Sequence, residues 1–271
     1  MVSVIGITGY KYSGKDTIAD YLCKNYGFTK LAFAGILKVL CQMLFGLSYE
    51  QLHGNQKETP IEKWWGLSAR EILQYVGTEI VRNHMSELHQ DIQQNFWIIC
   101  VMNIIKSNNE LPQITNKNPI MNVISLLFNI NENDYHTNKC MENWYNLNAH
   151  TIYTFIEHIF GEHMKLLHPN FDNFWNKCEN VYENICFGNG NMALTDNNVK
   201  KYVISDVRFP NESDAIKKIG GNIIRVTRHG LNSHDNHESE KYVNMMDVTL
   251  EIENNSSINV LYDKIDNFMV Q

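Results

Sequence analysis

At 271 residues, 44% of them hydrophobic, the chain can bury one good-sized core, or a core with a smaller second unit. A net charge of −7 and a pI near 5.9 argue against a protein that coats DNA or a membrane surface, so an anionic substrate must be held by a local basic site. No apolar run reaches the length of a membrane helix and Met1 leads straight into an apolar segment, as expected of a soluble chain without a signal peptide; six scattered cysteines with no C-x-x-C pair fit reduced thiols in a cytoplasm-like compartment.

The first element is an apolar strand carrying Val4, Ile5 and Ile7, followed by Gly9-Tyr10-Lys11-Tyr12-Ser13-Gly14-Lys15-Asp16-Thr17. Two glycines at this spacing let the backbone wrap a pyrophosphate with its N–H groups pointing inward, and Lys15 reaches the terminal phosphates. The residues from Thr17 to Cys23 read as the helix whose positive end faces those phosphates, stopped by Gly27. Asp16 stands where a hydroxyl usually meets magnesium; it can hold the ion directly or through water, with Thr17 supplying the hydroxyl one residue later.

Ala34 to Phe45 carries Ile36, Leu37, Leu40, Met43 and Leu44 at helical spacing and closes on Gly46, with Lys38 among them. A second marked helix starts at Ser68, which forms a capping box with Glu71. Ile72, Leu73, Val76, Ile80 and Val81 give its buried side, and Arg70, Gln74, Thr78 and Arg82 a polar stripe. Arg70 and Arg82 lie roughly 18 Å apart at 1.5 Å per residue, too far to grip one phosphate together. Gly77 inside this helix costs about 1 kcal/mol relative to alanine, which makes sense where a ligand or another backbone comes close.

From 107 to 200 the chain turns polar and Asn-rich, with an amphipathic helix over 151–161 and no convincing internal repeat. Trp97, Trp144 and Trp175 read first as core residues. A buried strand at Val203-Ile204 then delivers Asp206, Arg208 and Glu212 to its carboxyl end, the place where open α/β sheets put ligands. An arginine there can clamp a phosphate with both arms, and the plain alternative is a surface ion pair between Asp206 and Arg208. A further strand runs from Asn222 to Arg228. His234 and His237 have acids nearby but lack a third and fourth zinc ligand. A short strand over 248–252 and a helix with Ile258, Leu261, Ile265 and Phe268 close the chain. Alternating strands and helices imply an α/β fold, with a parallel sheet covered by helices on both faces.

Four motifs in order carry a resemblance: Gly9 to Thr17; Arg70-Glu71-Ile72-Leu73-Gln74 running into Gly77-Thr78-Glu79; Asp206-Val207-Arg208-Phe209-Pro210-Asn211-Glu212; and Asp235-x-His237-x-Ser239-Glu240. Together they resemble the deoxynucleoside monophosphate kinases of bacteriophages and large DNA viruses, across roughly 1–100 and 200–240. The first motif alone is shared with other P-loop kinases, phosphomevalonate kinases among them. The resemblance implies a P-loop NTPase fold; along the chain, 1–106 and 201–271 read as its core, and 107–200, which the resemblance does not cover, as a largely helical insertion, a lid or part of the acceptor side, or simply the outer helices of the same domain. It implies transfer of the γ-phosphoryl group of ATP to a deoxynucleoside monophosphate, with magnesium. Gly9, Lys11, Tyr12, Gly14, Lys15, Asp16, Thr17 and Arg228 would serve ATP, Asp16 and Thr17 the metal. Lys38, Arg70, Gln74, Gly77, Thr78, Asp206, Arg208 and Glu212 would surround the acceptor, with Trp97 near its base and Lys15, Arg70 and Arg208 closest to catalysis.

The implied partners are small nucleotides, without polymeric nucleic acid or membrane; a homodimer is left open, and a viral chain would work in the host cytoplasm. One departure stands out: Tyr12 occupies a loop position where such kinases often carry arginine. A kinase for another small phosphorylated acceptor, a non-catalytic nucleotide-binding module and, less readily, a DNA-associated ATPase are the competing readings.

Overall fold

A computed structural model describes residues 3–106, 118–167, 201–230 and 241–270, together with Cys178. Three expectations fall outside these residues, namely the motif from Asp235 to Glu240, the His234 and His237 pair, and the surroundings of Trp175. The chain divides into two compact units, Met1–Phe33 with Leu194–Gln271, and Ala34–Ala193.

In chain order the elements are β1 (Ser3–Thr8), α1 (Lys15–Tyr26), β2 (Phe28–Leu31), α2 (Gly35–Phe45), α3 (Tyr49–His53), β3 (Pro60–Ile61), β4 (Leu67–Ser68), α4 (Ala69–Gln74), α5 (Asn83–Leu88), α6 (Phe96–Lys106), α7 (Pro119–Phe128), α8 (Glu132–His136), β5 (Cys140–Met141), β6 (Leu147–Asn148), α9 (Ala149–Leu167), β7 (Lys201–Ile204), α10 (Pro210–Lys218), β8 (Asn222–Thr227), β9 (Leu250–Glu253) and α11 (Ile258–Met269).

The first unit is a parallel five-stranded sheet in the order β2-β7-β1-β8-β9. Alternation along β1 sorts its side chains: Ile5 and Ile7 join Ile18 and Leu22 of α1 and Leu261 and Ile265 of α11 in one buried cluster. On the other face α10 lies against β1 and β8, so close that a Cβ at Gly6 would sit 2.8 Å from Ile216. Helices thus cover both faces, as expected of a sheet whose strands are apolar on both sides. The chain leaves β1 toward β2 through α1 and leaves β7 toward β8 through α10, in opposite directions along the sheet. The carboxyl ends of β1 and β7 therefore flank a topological switch point, where such sheets bind ligands.

The second unit is helical. The sequence places 34–106 with the sheet and leaves 107–200 as an insertion, a lid or outer helices; α2 packs against α7 and α5 against α9, so apolar helices from both stretches share one unit, whose boundary falls at residue 34. α6 and α7 are buried along nearly their whole length, which explains their all-round apolar sequence.

This unit also contains a repeat that the sequence did not reveal. α2, α3, the β3–β4 hairpin and the helix that follows recur as α7, α8, the β5–β6 hairpin and α9. The indole N–H of Trp64 donates to the carbonyl of Phe45 at 2.7 Å, and that of Trp144 to the carbonyl of Phe128 at 2.9 Å. Ser48 and Asn131 each start a capping box, and both hairpins turn through a pair of left-handed residues, Trp65-Gly66 and Tyr145-Asn146. The second copy is shorter between its α8 and its hairpin, and few residues are identical, so no fixed period survives in the sequence.

Candidate active site

The phosphate loop spans the turn from β1 into α1. Gly9 has φ 149° and a Cβ there would lie 2.3 Å from the carbonyl oxygen of Val226, so only glycine lets β8 approach this closely. Gly14, at φ 108°, caps α1, and a Cβ there would meet the side-chain amide of Asn254 at 2.5 Å. That amide donates to the carbonyl of Ser13 at 2.8 Å, while the Asn254 backbone N–H bonds Thr227 at 2.8 Å. Asn254 thus holds the loop's outer side from the end of β9. Sequence reasoning missed it, because an asparagine after a strand far along the chain gives no local signal.

Lys15 donates to the carbonyls of Gly9 and Tyr10 at 2.7 and 2.6 Å, which places its ammonium inside the curve of the loop. Tyr12 is 75% exposed, in a left-handed backbone with φ 66°, and Lys11 lies 5.1 Å from its ring centroid. A non-glycine residue in that conformation costs on the order of 1–3 kcal/mol, and such strain clusters at functional sites. The hydroxyls of Thr8 and Ser13 are buried without a protein partner.

Asp16, in the first turn of α1, accepts from Lys30 at 2.9 Å and from Ser205 at 3.1 Å. Burial works against its charge, but Lys30, with Ser205 and Lys15 in support, outweighs this and holds the carboxyl below its ordinary value. Lys30, on β2, is the second residue that local reading did not find. A carboxylate kept ionised, one residue before the Thr17 hydroxyl, could hold magnesium, since this ion needs only one or two protein oxygens beside phosphate and water.

The strand end at β7 is drawn against the loop. The N–H of Val207 donates to Ile7 at 3.2 Å, and Asp206 accepts from the N–H of Phe33 at 3.0 Å, so the ends of β1, β2 and β7 are joined. Glu212 takes the backbone N–H groups of Arg208 and Phe209 at 2.6 and 3.0 Å, fixing the turn into α10 and leaving the Arg208 side chain exposed. Burial pushes the Glu212 carboxyl up to about 7 despite those donors. Arg228 lies one residue past β8, exposed, beside the strand end that touches the loop.

In the helical unit, Ser68 and Glu71 form the expected capping box. Arg70 and Gln74 are exposed, and Arg70 pairs with Glu58. The regular stripe does not run on to Arg82, however. From Tyr75 to Arg82 the backbone is π-helical, bonding one residue further back and widening the turn under Gly77 and Thr78. Gly77 makes room for Leu37, whose Cδ2 would be 2.5 Å from a Cβ there, so the close neighbour is a side chain of α2. Lys38 lies 3.3 Å from Nδ1 of His53; burial, then Lys38 and Lys57, holds that imidazole below its ordinary value. Trp97 is 8% exposed and meets Phe96 edge-on, a core position.

A parallel sheet with a phosphate loop after β1, and an acid and an arginine after the neighbouring β7, defines an α/β protein of the P-loop NTPase type. Residues 169–265 match the family described as deoxynucleotide monophosphate kinase. The chain is 29% identical over 267 residues to a putative deoxynucleotide monophosphate kinase of Acanthamoeba polyphaga mimivirus, covering 97% of this chain and 93% of that protein. It is 25% identical over 272 residues to the deoxynucleotide monophosphate kinase of Enterobacteria phage T4, covering 98% of each. The chain is therefore similar, over nearly its whole length, to deoxynucleotide monophosphate kinases of a bacteriophage and a large DNA virus.

Proposed function

We infer that the chain transfers the γ-phosphoryl group of ATP to a deoxynucleoside monophosphate, giving the diphosphate used in DNA precursor synthesis. The observation that carries this reading is the pairing of the Gly9–Thr17 loop with Asp206 and Arg208 at the ends of adjacent strands β1 and β7, in a chain similar throughout to viral kinases of this name. Phosphoryl transfer needs little covalent help; it needs two phosphates in line and their charge neutralised.

In this reading the loop N–H groups and Lys15 hold the β- and γ-phosphates of ATP, Asp16 and Thr17 hold magnesium, and Arg228 lies toward the adenine. Bound there, magnesium would neutralise charge on the transferring phosphates. Arg208 takes the acceptor phosphate, with Asp206 and Glu212 fixing the strand end that presents it. Lys38, Arg70, Gln74, Gly77 and Thr78 are the remaining residues assigned to the acceptor. Its partners are small nucleotides. Among the described residues no helix is long and apolar enough to cross a membrane.

A coupled ADP-release assay with each of the four deoxynucleoside monophosphates, the ribonucleoside monophosphates and no acceptor tests the reading. Turnover that requires a deoxynucleotide is expected; absence of acceptor-dependent turnover with every nucleotide would overturn it.

A further inference from the structure

The repeat inside the helical unit makes each copy a control for the other. At positions that frame the module the copies agree: Phe45 with Phe128, Trp64 with Trp144, Ala69 with Ala149, Ile72 with Ile152. At positions assigned to the acceptor they part. Arg70 corresponds to His150, Gln74 to Thr154, Gly77 to Glu157 and Thr78 to His158, while Lys38 corresponds to the buried Met121. No member of the second set matches the bidentate fork of a guanidinium, and Glu157 adds a negative charge that repels a phosphate.

The backbone differs at the same place. Tyr75–Arg82 is π-helical, whereas the corresponding stretch lies inside the α-helix Ala149–Leu167. A π segment is rare, and such segments fall frequently at functional sites. Like also packs on like, since α2 meets α7 and the π segment meets α9. The hydroxyl of Tyr75, first residue of the π segment, donates to the carbonyl of His163 on α9 at 2.9 Å.

We propose that the two copies have divided their labour: the first binds the acceptor nucleotide, and the second is a scaffold that binds none and holds the π segment in place through Tyr75 and His163. Tyr75 is then a positioning residue acting through its neighbours Gln74 and Thr78. This rests on the kinase reading, and the chain takes one acceptor nucleotide.

The test compares steady-state KM and kcat of Tyr75→Phe with those of the combined variant His150→Ala, Thr154→Ala, His158→Ala. Tyr75→Phe is expected to raise the acceptor KM severalfold with the ATP KM unchanged, and the combined variant to keep both within twofold of the parent. Titration calorimetry with a deoxynucleoside monophosphate should give one site per chain. Equal loss of acceptor affinity in both variants, an unaltered Tyr75→Phe, or two acceptor sites per chain would overturn the proposal. Melting of Trp64→Phe and Trp144→Phe tests the equivalence of the copies without any turnover: comparable drops support it, and a drop in only one contradicts it. A parent enzyme with no acceptor-dependent turnover would sink the kinase reading alone.

Discussion

The side-chain amide of Asn254 donates to the carbonyl of Ser13 at 2.8 Å, tying the phosphate loop to a strand end 241 residues later in the chain. The same side chain leaves no space for a Cβ at Gly14. Because a peptide unit is planar and trans, holding the Ser13 carbonyl toward Asn254 fixes the Gly14 N–H on the opposite side. Asn254→Ala should therefore raise the ATP KM about fivefold, the equivalent of roughly 1 kcal/mol for one hydrogen bond. The acceptor KM should not move, and initial-rate kinetics with each substrate varied in turn checks both.

Gly9 sits 2.3 Å, measured from an ideal Cβ, against a backbone oxygen that cannot rotate away. Its φ of 149° adds strain for any larger residue. Gly9→Ala should cost about 2 kcal/mol or more of stability and abolish ATP binding, because loop and β8 must separate. Thermal melting with and without ATP reads both effects; a normal ligand-induced rise in Tm would count against the geometry.

Glu212 gives a pH dependence. Its carboxyl sits at about 7 in the folded chain against an ordinary 4.5, so between those values the folded state keeps a proton that the unfolded state has released. Stability from this group is full below pH 4.5 and falls as pH rises toward 7. Glu212→Gln keeps an acceptor for the Arg208 and Phe209 N–H groups but cannot ionise. It should flatten this part of the stability curve, measured as urea midpoints across the range.

Lys15 and Arg208 should separate by substrate. Lys15→Ala is expected to lower kcat by at least a hundredfold, since it removes charge stabilisation of the group in transfer. Arg208→Ala is expected to raise the acceptor KM at least tenfold, the loss of a charge-assisted pair worth about 1.5–3 kcal/mol. An Arg208→Ala enzyme with parental acceptor affinity would reject that role.

What the sequence disclosed follows from the range of the forces involved. The loop from Gly9 to Thr17 is contiguous, its glycines answer local backbone demands, and the capping box of Ser68 and Glu71 spans a single turn, so all were legible. The strand end carrying Asp206 and Arg208 was legible because an apolar strand and a polar end sit side by side. Lys30 on Asp16 and Asn254 on Ser13 were not, because each contact is made by folding and leaves no local pattern. The repeat escaped for another reason: the identical framing residues, Trp64 and Trp144 among them, are few and scattered, while its caps and left-handed turns are satisfied by different residues, as by Gly46 and Asn129 at the ends of their helices. The π turn escaped as well, since Arg70, Gln74, Thr78 and Arg82 at four-residue spacing mimic an ordinary α-helical stripe.

The most direct measurement follows the phosphoryl group itself. With ATP labelled at the γ-phosphate, magnesium and an unlabelled deoxynucleoside monophosphate, the label should appear in the deoxynucleoside diphosphate, and Lys15→Ala should abolish it. Label found only in inorganic phosphate, with the monophosphate unchanged, would contradict the assignment.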